Sequence, residues 1–423
     1  MNSWPNRTTV LTVSSLEQTD HDAPAPHGRS HDHSHLAHAN DLEPSVGHHV
    51  LLAQCPVHCE DPHEPPFFVV SRHADVFAAL MEPDLWNNRD GSGVFYQSGG
   101  VLGSADGDDH RRQRKVLQDG FRPTAIDALG PRVDRIAEEL WAEAFGADGE
   151  GDFVELFAFP FPALVIAELL GVPTARRDEF GAWSNDIVNG LGGGDLSLVE
   201  RANVGIYEMV DELVDARRSM LAAGEDPPDD MLTVLTRAQA DGTLRHSEVR
   251  RLCQQLLVAG HETTASLIGL MMYRLIERPE LLAQLRADPA LVPAAVEEML
   301  RFDSPVQGLF RTNAVACELR GTPIDERTKV QLLFAAANRD PDVWDDPDEI
   351  RLDRMGPGAR PHLAFGWGVH HCIGAPLARR EAQLSLRFMV ERFETVERIG
   401  AVAVNEPFIL RGLTTLPIRW TVR

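Results

Sequence analysis

The chain is poor in several things, and each shortage excludes something. Cysteine occurs five times in 423 residues, at positions 55, 59, 253, 317 and 372. An odd number, widely spread, is no disulfide framework and fits a reducing compartment. Tyrosine is scarce too, with three copies. No run of 18 apolar residues occurs. The nearest approach, FAFPFPALVIAELLGV, carries two prolines and Glu168 and reads as a buried helix with its lead-in. The N-terminus has no basic stretch leading into an apolar core, so neither a secretory leader nor a membrane anchor is predicted, and the expected location is the cytoplasm. Cations are few: 40 Lys and Arg stand against 64 Asp and Glu, a formal net charge of −24. Nucleic acids and anionic membranes both need a basic surface, so neither is an expected partner.

What is present falls into two parts. Residues 1–48 hold seven of the 17 histidines among prolines and polar residues, without periodicity. They are predicted to be a disordered tail, dispensable for the rest, with metal binding as the lesser alternative. The segment LEPSVGHHVLLAQCPVHCEDP shows no helix signal. Cys55, His58 and Cys59 resemble half a metal site but have no partner pair. From Pro66 the chain regularises. FFVVSRH is a short β run before a helix at 74–81. Helical patterns then dominate from about Asp109 to Arg301, and short β runs return in KVQLLFA, PFILRGL and TLPIRWTV. The predicted fold class is mainly α with small β-sheets (α+β), one large catalytic domain over 49–423. No internal repeat is visible.

Four motifs carry chemistry. In HLAFGWGVHHCIGAPLARR (362–380), Gly366 and Gly368 let the backbone bend and approach a flat object closely. Gly374 and Pro376 mark a helix start just after Cys372, where the dipole and free N–H groups favour thiolate. Taken alone, Cys372 is equally a buried structural cysteine at a turn. No second ligand stands at a zinc spacing around it. In LLVAGHETTASLIGL (256–270), Gly260, Thr263 and Thr264 weaken the middle of a good helix whose N-cap is read as Ser247. A threonine hydroxyl there can bond its own helix carbonyl, leaving a hydroxyl beside the Glu262 carboxyl. A packing glycine with a satisfied threonine explains the same residues. In EEMLR (297–301), Glu298 and Arg301 share one helix face. In DHRRQRKVL (109–117), His110 and Arg114 do the same, and a solvated basic face is the plain alternative.

Together these motifs resemble the cytochrome P450 family, in the family's order, over roughly residues 50–423. The Cys loop matches at Phe365, Gly366, Gly368, His370, Cys372 and Gly374. The resemblance implies haem b, with Cys372 as the thiolate ligand of its iron. Phe365 would pack near the sulfur, and His110, Arg114, Arg311 and His370 would face the haem propionates. Ala259 and Gly260 would line the oxygen-binding helix, with Thr263 at the dioxygen and Glu262 relaying protons. Thr264 is a weaker candidate. Glu298, Arg301 and Arg354, the last in NRDPDVWDDPDEIRLDR, would form a buried structural triad. The implied activity is a bacterial-type haem-thiolate monooxygenase that inserts one oxygen atom of dioxygen into a small, mostly apolar organic substrate. Val94, Phe95, Tyr96, Leu256, Val306, Leu309, Phe310 and Leu410 are the expected pocket. Electrons would come from a ferredoxin or flavodoxin with its NAD(P)H-dependent reductase, docking on Arg111, Arg112, Lys115, Arg379 and Arg380. Two other readings are a peroxide-driven peroxygenase, which the Glu262-Thr263 pair argues against, and a non-catalytic haem sensor.

Overall fold

The computed structural model describes residues 36, 41–43, 45–60, 63, 65–176, 179, 181–184, 186–187, 196–356, 358–405 and 408–423. Nearly all of the expected tail lies outside these residues.

The long helix His246–Glu277 organises the rest. Its buried residues run round it rather than along a stripe, as in a helix packed on several sides. Helices Pro160–Leu170, Leu196–Ala223 and Ala375–Arg392 pack against it. The helix begins one residue before the predicted cap. Arg245 is extended, and its N–H donates to Glu248 Oε2 at 2.7 Å, so a carboxylate reaching back caps the helix instead of Ser247. Burial opposes that charge, yet Arg112, Arg245 and Gln113 together hold Glu248 far below the ordinary carboxylate range.

The strands form small sheets. The largest runs, in spatial order, Val57–Glu60, Phe67–Val70, Lys329–Leu332, Leu309–Asn313 and Trp86–Asn87. A second sheet places Pro417–Val422 between Gly149–Asp152 and Phe393–Arg398. The glycine-rich segment GADGEGD, at 146–152, therefore ends in a strand. Its glycines conceal the pattern because Trp420 lies where a Cβ on Gly149 would stand, 2.9 Å away. Within PFILRGL, Leu410 bridges to Val306, and Leu413 opens the strand Leu413–Thr415, which pairs with Ala403–Val404.

One expectation at the N-terminus fails. A helix occupies Ser45–Gln54, inside the segment that shows no helix signal. Its apolar residues are contiguous rather than periodic. Packing holds it: Leu51 and Leu52 join Phe67, Val69 and Phe310 in one buried cluster. The boundary drawn between His48 and His49 falls within this helix, and His48 is buried. The chain just before it is also tied down. Arg274 pairs with Glu43, and Arg411 donates to the Leu42 carbonyl. No helix among the described residues is long and apolar enough to cross a membrane.

Candidate active site

A cavity of about 260 Å³ opens between the central helix and the loop 364–374. The loop is its floor. Cys372 N–H donates to the Phe365 carbonyl at 2.9 Å, closing a tight bend. Gly366 and Gly368 both have positive φ, 63° and 68°. At Gly366 a Cβ would meet nothing closer than 4.0 Å, so the need is conformational; at Gly368 it would strike the Leu80 carbonyl at 2.5 Å. Helix Ala375–Arg392 starts directly after Gly374.

The Cys372 thiol is open to the cavity yet lies deep in the protein. Burial pushes its pKa up, and the Gly374 and Ala375 N–H groups and Arg114 only partly offset this. The helix start alone therefore does not yield the thiolate that the sequence suggests. A metal cation reverses that balance, because a coordinating thiol loses its proton outright.

Hydrogen-bond donors gather at one rim. His110, Arg114, Arg311 and His370 all line the cavity. The His110 and His370 rings lie 4.2 Å apart, and His370 Nε2 bonds Asp106 Oδ1 at 3.0 Å. His110 Nε2 is buried without a partner. Burial, then the neighbouring His370 and Arg114, push its pKa down to about 4. Arg311 donates only to the Phe310 carbonyl, at 2.9 Å.

The facing wall is the central helix. Ala259, Gly260, Thr263 and Thr264 line it. The Thr263 hydroxyl donates to the Ala259 carbonyl at 2.7 Å, the back-bond anticipated for it. Gly260 also packs: a Cβ there would meet Ile166 Cδ1 at 2.9 Å. Glu262 does not line the cavity. It is buried against the Asn405 side chain, and burial raises its pKa to about 7 despite that hydrogen bond. Its neighbour His261 bonds Ser184 at 2.5 Å and the Phe159 carbonyl at 2.9 Å.

Comparison with known proteins decides the family. Residues 184–417 match the family model described as Cytochrome P450. Cytochrome P450 107B1 of Saccharopolyspora erythraea is 35% identical over 372 residues, 83% of this chain and 89% of that protein. Vitamin D(3) 25-hydroxylase of Pseudonocardia autotrophica is 33% identical over 390 residues, 89% and 93%. The solved structure of CYP109Q5 from Chondromyces apiculatus superposes with a TM-score of 0.80 at 34% identity, covering 91% of this chain and 96% of that one.

This chain belongs to the cytochrome P450 family.

The cofactor of a cytochrome P450 is haem b, and the residues here fit it. One face of the cavity presents a lone thiol. The rim presents an unpartnered buried imidazole nitrogen and two arginines with spare donors, the complement of two carboxylates. One ion cluster lies outside the cavity lining. Glu298 and Arg301 are fully buried and bidentate, at 2.8 Å on both oxygens, with Arg354 at 3.2 Å. Arg301 also donates to the carbonyls of Asn338, Pro347 and Glu349.

Several expected site residues are elsewhere. Leu256, Val306 and Leu309 line the cavity; Phe95, Tyr96, Phe310 and Leu410 do not. Phe310 lies in a strand between Leu309 and Arg311, so alternation turns it to the other face, 4.9 Å from the Phe67 ring. Tyr96 is drawn outward: its hydroxyl donates to the Arg327 carbonyl and its ring lies 5.0 Å from the Lys329 ammonium. Phe95 is 61% exposed, Val94 is buried with Phe67 and Leu333, and Leu410 is held in its bridge to Val306. The expected docking cations are mostly engaged. Arg112 pairs with Glu248, Arg111 with Asp108, Arg379 with Glu297 at 2.7 Å and Arg380 with Asp134 at 2.8 Å.

Three features were not anticipated. Glu381 lines the cavity with one oxygen buried and unpartnered, and burial raises its pKa strongly. Its signal was its place one turn after Leu377 on the same helix face. His371 also lines the cavity. Glu297, beside the recognised Glu298, binds both Arg379 and His362, and Arg379 lies 4.6 Å over the Phe365 ring. His362 Nδ1 accepts from Ala364 N–H, so its Nε2–H donates to Glu297.

Proposed function

We propose that this cytochrome P450 monooxygenase inserts one oxygen atom of dioxygen into a small, mostly apolar organic substrate, most simply as a hydroxylation. Ferredoxin or flavodoxin, with an NAD(P)H-dependent reductase, supplies the electrons. The supporting observation is the cavity itself: a deep thiol faces a helix wall bearing Thr263, between an apolar lining and a cationic rim. Relatives named 6-deoxyerythronolide B hydroxylase and erythromycin C-12 hydroxylase carry out the reaction class inferred here.

Haem b bound at Cys372 supplies the redox chemistry and the activation of dioxygen. The chain's own groups do the rest. His110, Arg114, Arg311 and His370 orient the cofactor through its carboxylates. Gly366, with its positive φ, would let the loop backbone approach the cofactor closely. Leu256, Val306, Leu309 and Leu267 exclude water and hold the substrate. Thr263 Oγ1, held by Ala259, presents its lone pairs to the cavity. Glu262 holds a proton near neutral pH behind the helix, so it serves as a reservoir rather than as a group touching substrate. Glu297, through Arg379 and His362, keeps the floor in place. Among the expected docking cations only Lys115 has no partner among the described residues, so the donor's docking face is narrower than the sequence suggests.

The test is isotopic. With donor, reductase and labelled dioxygen, product should carry one labelled oxygen atom, and label from water should be absent. Product labelled from water, or formed equally well without reductant, contradicts the reading.

A further inference from the structure

The inference rests on the active-site reading above and adds a substrate class to it. Gln255 stands one and two helical steps of four before Ala259 and Thr263. All three therefore share one face of the central helix, and all line the cavity. Gln255 lies about 12 Å along the axis from Thr263. Leu102, Phe121 and Leu256 line the cavity with it. Gln255 Oε1 is buried with no hydrogen-bond partner. The other end of the amide presses on the turn opposite, where a Cβ on Gly103 would come within 2.9 Å of Nε2. That turn is itself constrained, because Leu102 has a φ of 44° and its N–H is bound by Gln113 Oε1 at 2.7 Å. A glycine thus leaves room for an amide whose oxygen no described residue satisfies.

A buried amide oxygen without a partner is costly, and packing alone is better served by leucine or methionine. The haem carboxylates have their own donors at the cationic rim. We propose that Gln255 is a specificity-determining residue that binds a hydroxyl group on an otherwise apolar substrate. Exchanging the amide's oxygen and nitrogen does not change this: one end stays buried and the other faces Gly103. A hydroxyl satisfies either orientation, because it both donates and accepts. The substrate is then a compact hydrocarbon skeleton bearing an alcohol, oxidised at a carbon remote from that alcohol and closer to Thr263.

The holoenzyme tests this with matched probes: adamantane against adamantanol, and cyclododecane against cyclododecanol, each titrated by the shift of the haem spin state. Wild type should bind each alcohol about tenfold more tightly than its parent hydrocarbon. Gln255→Met, similar in length without hydrogen bonds, should bring that ratio near one. It should also keep haem content and the carbon monoxide spectrum, and melt no lower than wild type without ligand. Gly103→Ala, which crowds the amide, should reduce the ratio while keeping the cofactor. A wild type without preference for any alcohol, or a Gln255→Met protein that keeps the preference, overturns the assignment. So does loss of haem in Gln255→Met, which would make the amide a cofactor ligand. Absence of the thiolate spectrum in wild type would instead sink the active-site reading itself, which separates the two failures.

Discussion

The floor and the far wall of the cavity are built on different principles. The floor, from His362 to Glu381, is held by charge: Glu298 with Arg301 and Arg354 below it, and Glu297 with Arg379 and His362 beside it. The far wall, made from the turn at 102–103, Val306 and Leu309, is held by shape and by strand alternation. Ion pairs at fixed spacing on a helix tolerate little change. An apolar wall is respecified by exchanging one side chain. The floor fixes the reaction, and the wall selects what undergoes it.

Breaking the floor should have the largest effect. Arg301→Met leaves Glu298 buried and uncompensated, which typically costs ~3–5 kcal/mol. Urea unfolding should show that loss, together with poor haem retention. A variant as stable as wild type would mean that the triad does not support the floor. A milder break is Glu297→Gln. His362 and Arg379 hold the Glu297 pKa near about 2 against burial. A depressed carboxylate stabilises the fold fully above its unfolded value and loses that stabilisation as pH falls toward the folded one. The gap between wild type and Glu297→Gln should therefore be on the order of 2 kcal/mol at neutral pH and close below pH ~4. A gap independent of pH would show that charge is not what Glu297 contributes.

Glu262 has the opposite sign. Its folded pKa is raised to about 7 by burial. A raised acid stabilises the fold below its unfolded value and costs stability as pH rises through the folded one. Glu262→Gln should match wild type in acid and exceed it by roughly 1–2 kcal/mol at pH ~8. With substrate, the variant should divert more reductant to hydrogen peroxide, as should Thr263→Ala. Unchanged coupling in both would remove the proton path. The smallest effects belong to the residues that sequence misplaced: Phe95→Ala should shift stability by no more than about 0.5 kcal/mol and leave ligand affinity alone. Leu309→Ala should weaken apolar ligands severalfold. Equal effects from the two would blur the distinction between wall and surface.

The same contrast explains what was legible in the sequence. Cys372, His370, Thr263 and the Glu298–Arg301 pair sit at fixed offsets on or beside helices, where spacing alone fixes which side chains share a face. The wall depends on partners distant in sequence. Phe310 was misplaced because its strand register is set by Lys329–Leu332, and Tyr96 because the Arg327 carbonyl and Lys329 draw it outward. Glu262 was recognised, but nothing near it announces Asn405, 143 positions away, which decides where its carboxyl lies. Arg112, Arg379 and Arg380 looked free because Glu248, Glu297 and Asp134 come from other helices.

The central claim is that Cys372, of five free cysteines, holds the haem iron. The direct measurement is the absorption spectrum of the reduced protein with carbon monoxide, recorded for two variants. With Cys55, Cys59, Cys253 and Cys317 all replaced by serine, the strongly red-shifted Soret band of thiolate ligation should persist. With Cys372→His alone it should vanish while haem stays bound. A Cys372→His protein that keeps the red-shifted band, or a quadruple variant that binds haem but loses it, would contradict the account.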